Sequence, residues 1–205
     1  MDRASASTVA RLSAYYRLLG EFERERAETI PSKRLAARAG VTPAQVRKDL
    51  SFFGNFGRRG LGYNVLQLRE EIAAILGLGR RWRVALLGAG NLGQALFAYR
   101  ELEKHGFFIE HVFDIDPKKI GTRWRGLEIA HTSELPRRAA DPGIDIAIVA
   151  VPAEAAQGVA DIAVGAGIRA LLNFAPGKIV VPDHVAVREV DLSIAMESLS
   201  YALVK

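Results

Sequence analysis

Cysteine is absent from the 205-residue sequence, and histidine occurs only four times. The absence of cysteine excludes a disulfide framework and metal sites built on thiolates. The histidines lack the i, i+3 or i+4 spacing at which two imidazoles bind one metal ion; they are His105, His111, His131 and His184. We therefore predict no metal site.

Long hydrophobic runs are also missing. No apolar stretch approaches the roughly 20 residues that cross a bilayer, and no apolar segment follows Met1–Ser5 as it would in a secretory signal. The composition, 49% hydrophobic and 25% charged, is that of an ordinary globular protein. These observations predict a soluble cytoplasmic protein without a membrane partner, and the length favours two modest domains.

Acidic residues are scarce in the N-terminal part. Residues 1–80 contain 14 Lys and Arg against 8 Asp and Glu, whereas residues 81–205 contain 14 against 15. Between residues 30 and 63 the only acid is Asp49, and the basic residues there are Lys33, Arg34, Arg38, Arg47, Lys48, Arg58 and Arg59. This imbalance predicts a polyanionic partner, with nucleic acid as the leading candidate and a solvated basic face as the alternative.

Three helices are predicted around this basic segment. Helical spacing of apolar residues predicts a first helix over residues 6–27. Ser32 can cap a second helix that Gly40 ends, and Thr42 and Pro43 suit the N-cap and first position of a third. The apolar face of the third helix consists of Val46, Leu50 and Phe53. Two helices joined by a glycine-containing turn form a helix-turn-helix, whose second helix enters the DNA major groove.

A glycine-rich hairpin is predicted next. Residues 54–63 contain four glycines, which supply turn positions with positive φ, together with Arg58 and Arg59. These features are typical of the wing of a winged helix, with the two arginines directed at a phosphate backbone or a minor groove. A linking helix over residues 65–77 follows.

From Trp82 onward, apolar strands alternate with helices, which predicts βαβ units and a doubly wound parallel sheet. A strand over residues 84–87 leads into Gly88-Ala89-Gly90-Asn91-Leu92-Gly93, and a helix over residues 91–104 follows. In this context the glycine pattern predicts a Rossmann dinucleotide site. Gly88 permits the tight turn, Gly90 lets the backbone approach the pyrophosphate, and Gly93 lets the helix pack against the strand.

The rest of this segment continues the pattern. Strands are predicted at 109–113, 144–151 and 170–173, extended runs at 179–181 and 185–190, and helices at 153–166 and 192–203.

Asp114 ends the strand that follows the glycine pattern and stands 21 residues after Gly93. A carboxylate at this place accepts hydrogen bonds from the adenosine ribose and repels a 2′-phosphate, so we predict NAD(H) rather than NADP(H). Lys119 is assigned to the same site, although lysines here weaken the preference against NADP(H). The alternative for Asp114 is a turn residue before Pro117.

A dehydrogenase needs a proton donor or acceptor beside the nicotinamide. The loops Val151-Pro152-Ala153 and Asn173-Phe174-Ala175-Pro176 contain no titratable group. These loops can wall a nicotinamide pocket but supply no general acid; the residues assigned to the pocket wall are Val151, Pro152, Asn173 and Phe174. We therefore predict a protein that binds its cofactor without turnover and is not an enzyme.

Together these residues resemble the Rex family, bacterial transcriptional repressors that sense the NADH/NAD+ ratio. The resemblance extends nearly end to end, through Gln45–Gly54, Phe56–Arg58, Gly60–Tyr63, Gly88–Gly93, Phe113–Asp116 and Leu172–Pro176. It implies a homodimer that binds a palindromic DNA operator when NADH is scarce and is released when NADH closes the dimer.

The resemblance also implies roles for individual residues. The DNA-contacting residues would be Gln45, Arg47 and Lys48 in the major groove and Arg58 and Arg59 on the wing. The family's switch network of arginine, tyrosine and aspartate corresponds to Arg17, Tyr99 and Asp191. The next position is often aromatic in the family and lies near the partner's nicotinamide, whereas here it is Leu192. The chain therefore departs from the family pattern at a position that the resemblance connects with nicotinamide sensing.

The predicted architecture is thus a winged-helix domain over residues 1–80, a Rossmann domain over 81–190 and a C-terminal helix over 191–205 that is swapped in the dimer. Two alternatives belong to other classes. A small NAD-dependent oxidoreductase with a basic or DNA-binding extension would need the missing proton relay. A module resembling the CoA-binding domain of acyl-CoA synthetases would not need Asp114 or the basic winged helix.

Overall fold

The computed structural model describes residues 4–58, 61–140 and 143–204. The chain forms two compact units, Met1–Arg80 and Arg81–Lys205. Within the described ranges, no helix is both long enough and apolar enough to pass through a membrane. Arg59, predicted to contact DNA, lies outside the described residues.

The first unit is a winged helix. Its elements are α1 (Ala6–Arg24), β1 (Thr29–Ile30), α2 (Ser32–Ala39), α3 (Pro43–Ser51), β2 (Gly57–Arg58), β3 (Gly62–Asn64) and α4 (Val65–Leu76). The strands form an antiparallel sheet in the order β1-β3-β2. The core is built from one face of each helix and includes Leu12, Leu19, Phe22, Leu35, Val46, Leu50, Leu68 and Ile72.

Caps explain why these helices begin and end where they do. The Thr42 hydroxyl accepts a hydrogen bond from the Gln45 N–H at 3.1 Å, and Pro43 occupies the first turn of α3. Gly40 adopts the left-handed conformation, with φ 66°, that ends α2. Two predictions were wrong in detail: α1 ends at Arg24 rather than at residue 27, and Pro31 rather than Ser32 stands at the N-cap of α2.

The second unit is a Rossmann-type α/β domain. Its strands are β4 (Trp82–Leu87), β5 (Phe107–Asp114), β6 (Arg123–Trp124), β7 (Leu127–His131), β8 (Ile146–Val149), β9 (Ala170–Asn173) and β10 (Ala186–Glu189). Its helices are α5 (Asn91–Ala98), α6 (Glu101–Lys104), a 3-10 turn (Thr132–Glu134), α7 (Leu135–Ala140), α8 (Ala153–Gly165) and α9 (Leu192–Val204). The sheet order is β10-β9-β8-β4-β5-β7-β6, parallel except for β6.

Alternating residues of β4 supply the two cores of this domain. Ala85 and Leu87 pack with the residues of α7 and α8, whereas Val84 and Leu86 pack on the opposite face with partly buried residues of α5. Both faces of a parallel strand are buried in this way when helices cover both sides of the sheet. The predicted fold class is confirmed.

Apart from shifts of one or two residues at the ends of elements, the sequence prediction for this unit differs from the structure in three places. The single helix expected over residues 91–104 is interrupted at Tyr99, whose backbone is extended, with φ −78° and ψ 93°. Four short elements were not predicted; they are β6, β7, the 3-10 turn and α7, each only two to six residues long. The run at 179–181 is not a strand.

Candidate functional site

The glycine turn joins β4 to α5. Gly88 has φ 105°, and a Cβ there would lie 2.8 Å from the carbonyl carbon of Ala150 and closer still to its oxygen. A Cβ at Gly93 would collide with the carbonyl group of Gly88. A Cβ at Gly90 would meet nothing within 4 Å. The fold therefore requires Gly88 and Gly93, whereas Gly90 leaves the space above the turn open.

The N-terminal end of α5 faces this open space. Gly90 is its N-cap, and no side chain caps the helix. Asn91 and Leu92 are exposed, whereas Gly93 is buried. The first N–H groups of a helix have no partner within the helix, and with the helix dipole they favour an anion.

The sheet topology places the predicted cofactor residues along one edge. From β4 the chain builds β5 and β7 on one side, then returns to build β8, β9 and β10 on the other. Ligands of open α/β sheets bind at the carboxyl ends of the strands where the order reverses in this way. Gly88, Asp114 and Val151 follow or end β4, β5 and β8 at that edge.

Asp114 is buried, with 9% of its surface exposed, and its carboxylate binds the glycine turn itself. One oxygen accepts hydrogen bonds from the Ala89 N–H at 2.7 Å and from the Lys119 ammonium at 3.0 Å. The other oxygen accepts the N–H groups of Ile115 and Asp116. Burial alone would raise the pKa of Asp114, but these hydrogen bonds outweigh it and hold the pKa below its ordinary value.

This arrangement refines the prediction for Asp114 and Lys119. A carboxylate offers about four lone-pair positions, and four donors already occupy those of Asp114. A ribose hydroxyl can therefore bind Asp114 only by replacing a donor. The Lys119 ammonium is the donor on a flexible side chain, whereas the other three are backbone N–H groups.

The two loops expected to wall the nicotinamide differ in their side-chain environments. The Asn173 amide is buried, donates to the carbonyl oxygens of Ala175 and Gly177, and accepts from the Ala175 N–H. It therefore shapes its own loop. Val151 and Phe174 are half-buried, and Pro152 is exposed. Their contact with a cofactor stays a prediction.

The candidate nucleic-acid surface lies on α3 and the hairpin. Arg47 and Lys48 are exposed on α3, and Arg58 is exposed on β2. The Arg47 guanidinium donates to the Ser32 hydroxyl at 3.1 Å. A cleft of about 520 Å³ separates α3 from the hairpin, and Arg47 and Arg58 both line it.

Gln45, which is also predicted to contact DNA, is half-buried. Its amide donates to the Asp49 carboxylate at 2.8 Å, so the side chain is engaged within the first unit. Asp49 is only 2% exposed and also accepts hydrogen bonds from Arg11 and Tyr15. Burial would raise the pKa of Asp49, but the bonds from Arg11, Gln45 and Tyr15 hold it below its ordinary value. The i, i+4 spacing could have suggested the Gln45–Asp49 pair, whereas nothing in the sequence pointed to Arg11.

The predicted switch residues have separate local environments. Arg17 is exposed on α1 in the first unit. Tyr99, which is 56% exposed, and Asp191 belong to the second unit. The Asp191 carboxylate accepts bonds from the Ser193 N–H and hydroxyl and so caps α9. These bonds lower the pKa of Asp191.

Helix α9 contains no buried residue. Its large apolar side chains are 60% to 87% exposed; they are Leu192, Ile194, Met196, Leu199, Tyr201, Leu203 and Val204. Exposed apolar surface of this extent marks an interaction site more often than a free surface.

Comparison with known proteins identifies relatives that match nearly the whole chain. The redox-sensing transcriptional repressor Rex of Desulforamulus reducens is 48% identical over 96% of this chain and 94% of its own length. The Rex protein of Roseiflexus sp. is 42% identical over 100% and 93%. Among solved structures, RSP bound to beta-NAD+ and operator DNA has a TM-score of 0.93, 39% identity and coverage of 99% and 94%. RSP bound to beta-NADH has a TM-score of 0.88, 37% identity and coverage of 99% and 95%.

Two family models match the two units. Residues 4–51 match the putative DNA-binding protein N-terminus, and residues 79–177 match the CoA binding domain. The fold and these sites define a transcriptional regulator with a winged helix and a Rossmann-type nucleotide-binding domain. With 48% identity to a relative over nearly its full length, the chain belongs to the Rex family of redox-sensing transcriptional repressors.

Proposed function

We propose that this chain binds operator DNA as a homodimer and is released from it by NADH. The observation that carries the proposal is the pairing of two sites in one chain. A basic winged helix is joined to a dinucleotide turn, and the two loops expected to flank the nicotinamide contain no titratable side chain. Such a site suits a ligand that is sensed rather than converted, so the chain is not an enzyme.

The cofactor site would hold the pyrophosphate at Gly90 and at the N–H groups that begin α5. Asp114 would bind the ribose after Lys119 moves away, and its charge would disfavour the 2′-phosphate of NADP(H). The structures of the related RSP with beta-NAD+ and with beta-NADH support this ligand class.

The DNA site would place α3 in the major groove and the hairpin against the backbone or the minor groove. Arg47, Lys48 and Arg58 are exposed and would carry these contacts, together with Arg59. Arg47 and Lys48 suit either guanine edges or phosphates, and these two modes differ in their effect on specificity. The related RSP bound to operator DNA supports a DNA partner.

The exposed apolar residues of α9 would pack against a second copy of the chain, with α9 swapped between subunits. A two-fold dimer presents two identical winged helices, so its operator would be palindromic. A nearly complete switch requires that NADH bind the released state roughly 10⁴-fold, or about 5.5 kcal/mol, more tightly than the DNA-bound state. We place this regulator in the cytoplasm, where the DNA and the NADH/NAD+ pool are found.

A DNA-binding titration at fixed salt tests the proposal, because salt alone changes such affinities strongly. The probe is a duplex selected by the protein from a random-sequence library. We expect NADH to lower the affinity for this duplex far more than NAD+ does. Equal effects of the two cofactors would refute the redox-sensing role, and substrate-dependent oxidation of NADH would favour the oxidoreductase alternative.

A further inference from the structure

A buried ionic cluster lies where α3 meets α1. Its centre is Asp49, which is 2% exposed, although the neighbouring Arg47 and Lys48 on the same helix are exposed. At about 100° of rotation per residue, Arg47 lies on roughly the opposite side of α3 from Asp49, and Lys48 lies about a quarter turn away.

Three side chains donate hydrogen bonds to the Asp49 carboxylate, and one of them, Arg11, also donates to the Thr8 hydroxyl at 3.3 Å. The Arg11 guanidinium donates through Nε to one carboxylate oxygen at 2.6 Å and through Nη2 to the other at 2.7 Å. The Tyr15 hydroxyl donates at 2.9 Å, and the Gln45 amide donates at 2.8 Å. Two of these donors belong to α1, and Gln45 belongs to α3 itself.

This geometry restrains α3 in a way that its apolar contacts do not. Helix α3 has only nine residues, and its buried apolar side chains are Val46 and Leu50. Apolar burial is not directional, so two such side chains restrain the rotation of the helix less strictly than a directional contact does. A bidentate pair between Arg11 and Asp49 fixes both distance and orientation, because the planar fork matches the carboxylate only in one plane.

The orientation of α3 matters for base recognition. Hydrogen bonds to base edges require donor–acceptor distances of about 2.7–3.2 Å and nearly linear geometry. A small rotation of α3 would move Arg47 and Lys48 out of hydrogen-bonding distance of the base edges. The same side chains would still make ionic contacts with the phosphates, which tolerate longer distances. The loss would fall on specificity more than on general affinity for DNA.

We infer that Arg11 and Asp49 are positioning residues for operator recognition, holding the exposed face of α3 in register with the bases. Gln45 and Tyr15 complete the donor set and act through Asp49 rather than on DNA. This inference rests on the proposed DNA-binding function. It departs from a purely stabilising role, because buried ion pairs can often be replaced by apolar residues without loss of stability.

The test compares three variants of the full-length protein. Arg11→Lys keeps the positive charge but removes the bidentate fork. The double variant Arg11→Met with Asp49→Leu replaces the pair with apolar groups. Ile72→Val trims a side chain of α4 that is buried in the same core, and it serves as a control for simple destabilisation.

The main readout is the ratio of the affinities for the library-selected duplex and for a scrambled duplex of the same composition. The melting temperature of each variant is measured alongside it. We expect Arg11→Lys and the double variant to lower this ratio at least tenfold, and Ile72→Val to leave it unchanged even though it melts earlier. NADH binding by the second unit should stay at the wild-type level in all three.

Two outcomes would overturn the inference. One is a wild-type ratio in Arg11→Lys. The other is a double variant that recovers both stability and the wild-type ratio, which would mean that the pair only stabilises the fold. If the wild-type protein itself showed no preference for any duplex, the proposed function would fail instead, and the two failures are therefore distinguishable.

Discussion

Alanine substitutions in the glycine turn, which contains Gly88, Gly90 and Gly93, distinguish the glycines that the fold requires from the glycine that cofactor binding is expected to require. Gly93→Ala places a methyl group against the carbonyl of Gly88, 3.2 Å from its carbon and closer to its oxygen. Backbone cannot give way as a flexible side chain can, so α5 must move away from β4. Gly90→Ala has open space around the new methyl group, and its φ of −82° suits alanine.

The expected magnitudes follow from these contacts. Overpacking of this kind costs about 1–3 kcal/mol, which corresponds to a fall of roughly 3–12 °C in the melting temperature of a unit of this size. Gly93→Ala should therefore lower both stability and NADH affinity. Gly90→Ala should leave the melting temperature unchanged and still weaken NADH binding at least tenfold, since the methyl group would occupy the position of the pyrophosphate.

The assay is a thermal melt with and without NADH, combined with a direct titration of the cofactor. Gly158→Ala in α8 is the matched control, because a methyl group there meets nothing within 4 Å outside its own helix. It should raise helix stability by about 0.5–1 kcal/mol and leave NADH affinity unchanged. Wild-type NADH affinity in Gly90→Ala would refute the assignment of the pyrophosphate to this turn.

Three further predictions concern the other sites. Lys48→Ala should weaken binding to the selected duplex about tenfold and reduce the salt slope by about 1, with NADH affinity unchanged in calorimetry; a collapse of cofactor binding would contradict the domain assignment. Asp114→Asn should weaken NADH binding, and it should remove part of the acid sensitivity of unfolding, because a carboxylate with a lowered folded-state pKa stabilises above its ordinary pKa and loses this effect as pH falls through the folded value. Identical acid unfolding of this variant and the wild type would count against that carboxylate's role. Leu199→Glu on α9 should dissociate the proposed dimer in sedimentation, whereas Val180→Glu, which also changes an exposed apolar residue, should not; a variant Leu199→Glu that sediments as a dimer would exclude α9 from the proposed interface.

Local rules predicted much of this fold. Thr42 and Pro43 begin α3, Gly40 ends α2 in the left-handed conformation, and β9 spans the predicted residues 170–173. The glycine pattern was also found in its expected place between β4 and α5. These features depend on backbone requirements of single residues or on short apolar runs, which can be read from the sequence without knowing tertiary contacts.

The features that were missed depend on short elements or on distant partners. Strands β6 and β7 form a hairpin through Arg125 and Gly126, both with positive φ, and β6 is too short to show an alternating pattern. The buried role of Asp49 requires Arg11, which is 38 residues away. An acidic residue in a basic helix is expected to be exposed, and its burial can be explained only by the tertiary contact with a guanidinium.

Each unit contains a buried carboxylate that accepts several hydrogen bonds, and each carboxylate lies at a site for which we propose a function. Among the polar residues that the structure describes as buried, the carboxylates are Asp49 and Asp114. Each receives a cationic side chain and further donors, and each joins a functional element to the body of its unit: Asp49 joins α3 to α1, and Asp114 joins the glycine turn to the end of β5. A buried charge is costly unless every lone pair is satisfied, so it tolerates few alternative geometries. The two units differ in one respect. The bidentate Arg11 guanidinium would hold the proposed DNA-reading surface through Asp49, whereas the single Lys119 ammonium would leave Asp114 when a ribose binds at the proposed cofactor site. A sensor needs both properties, a fixed reading surface for DNA and a cofactor site whose contacts change on binding.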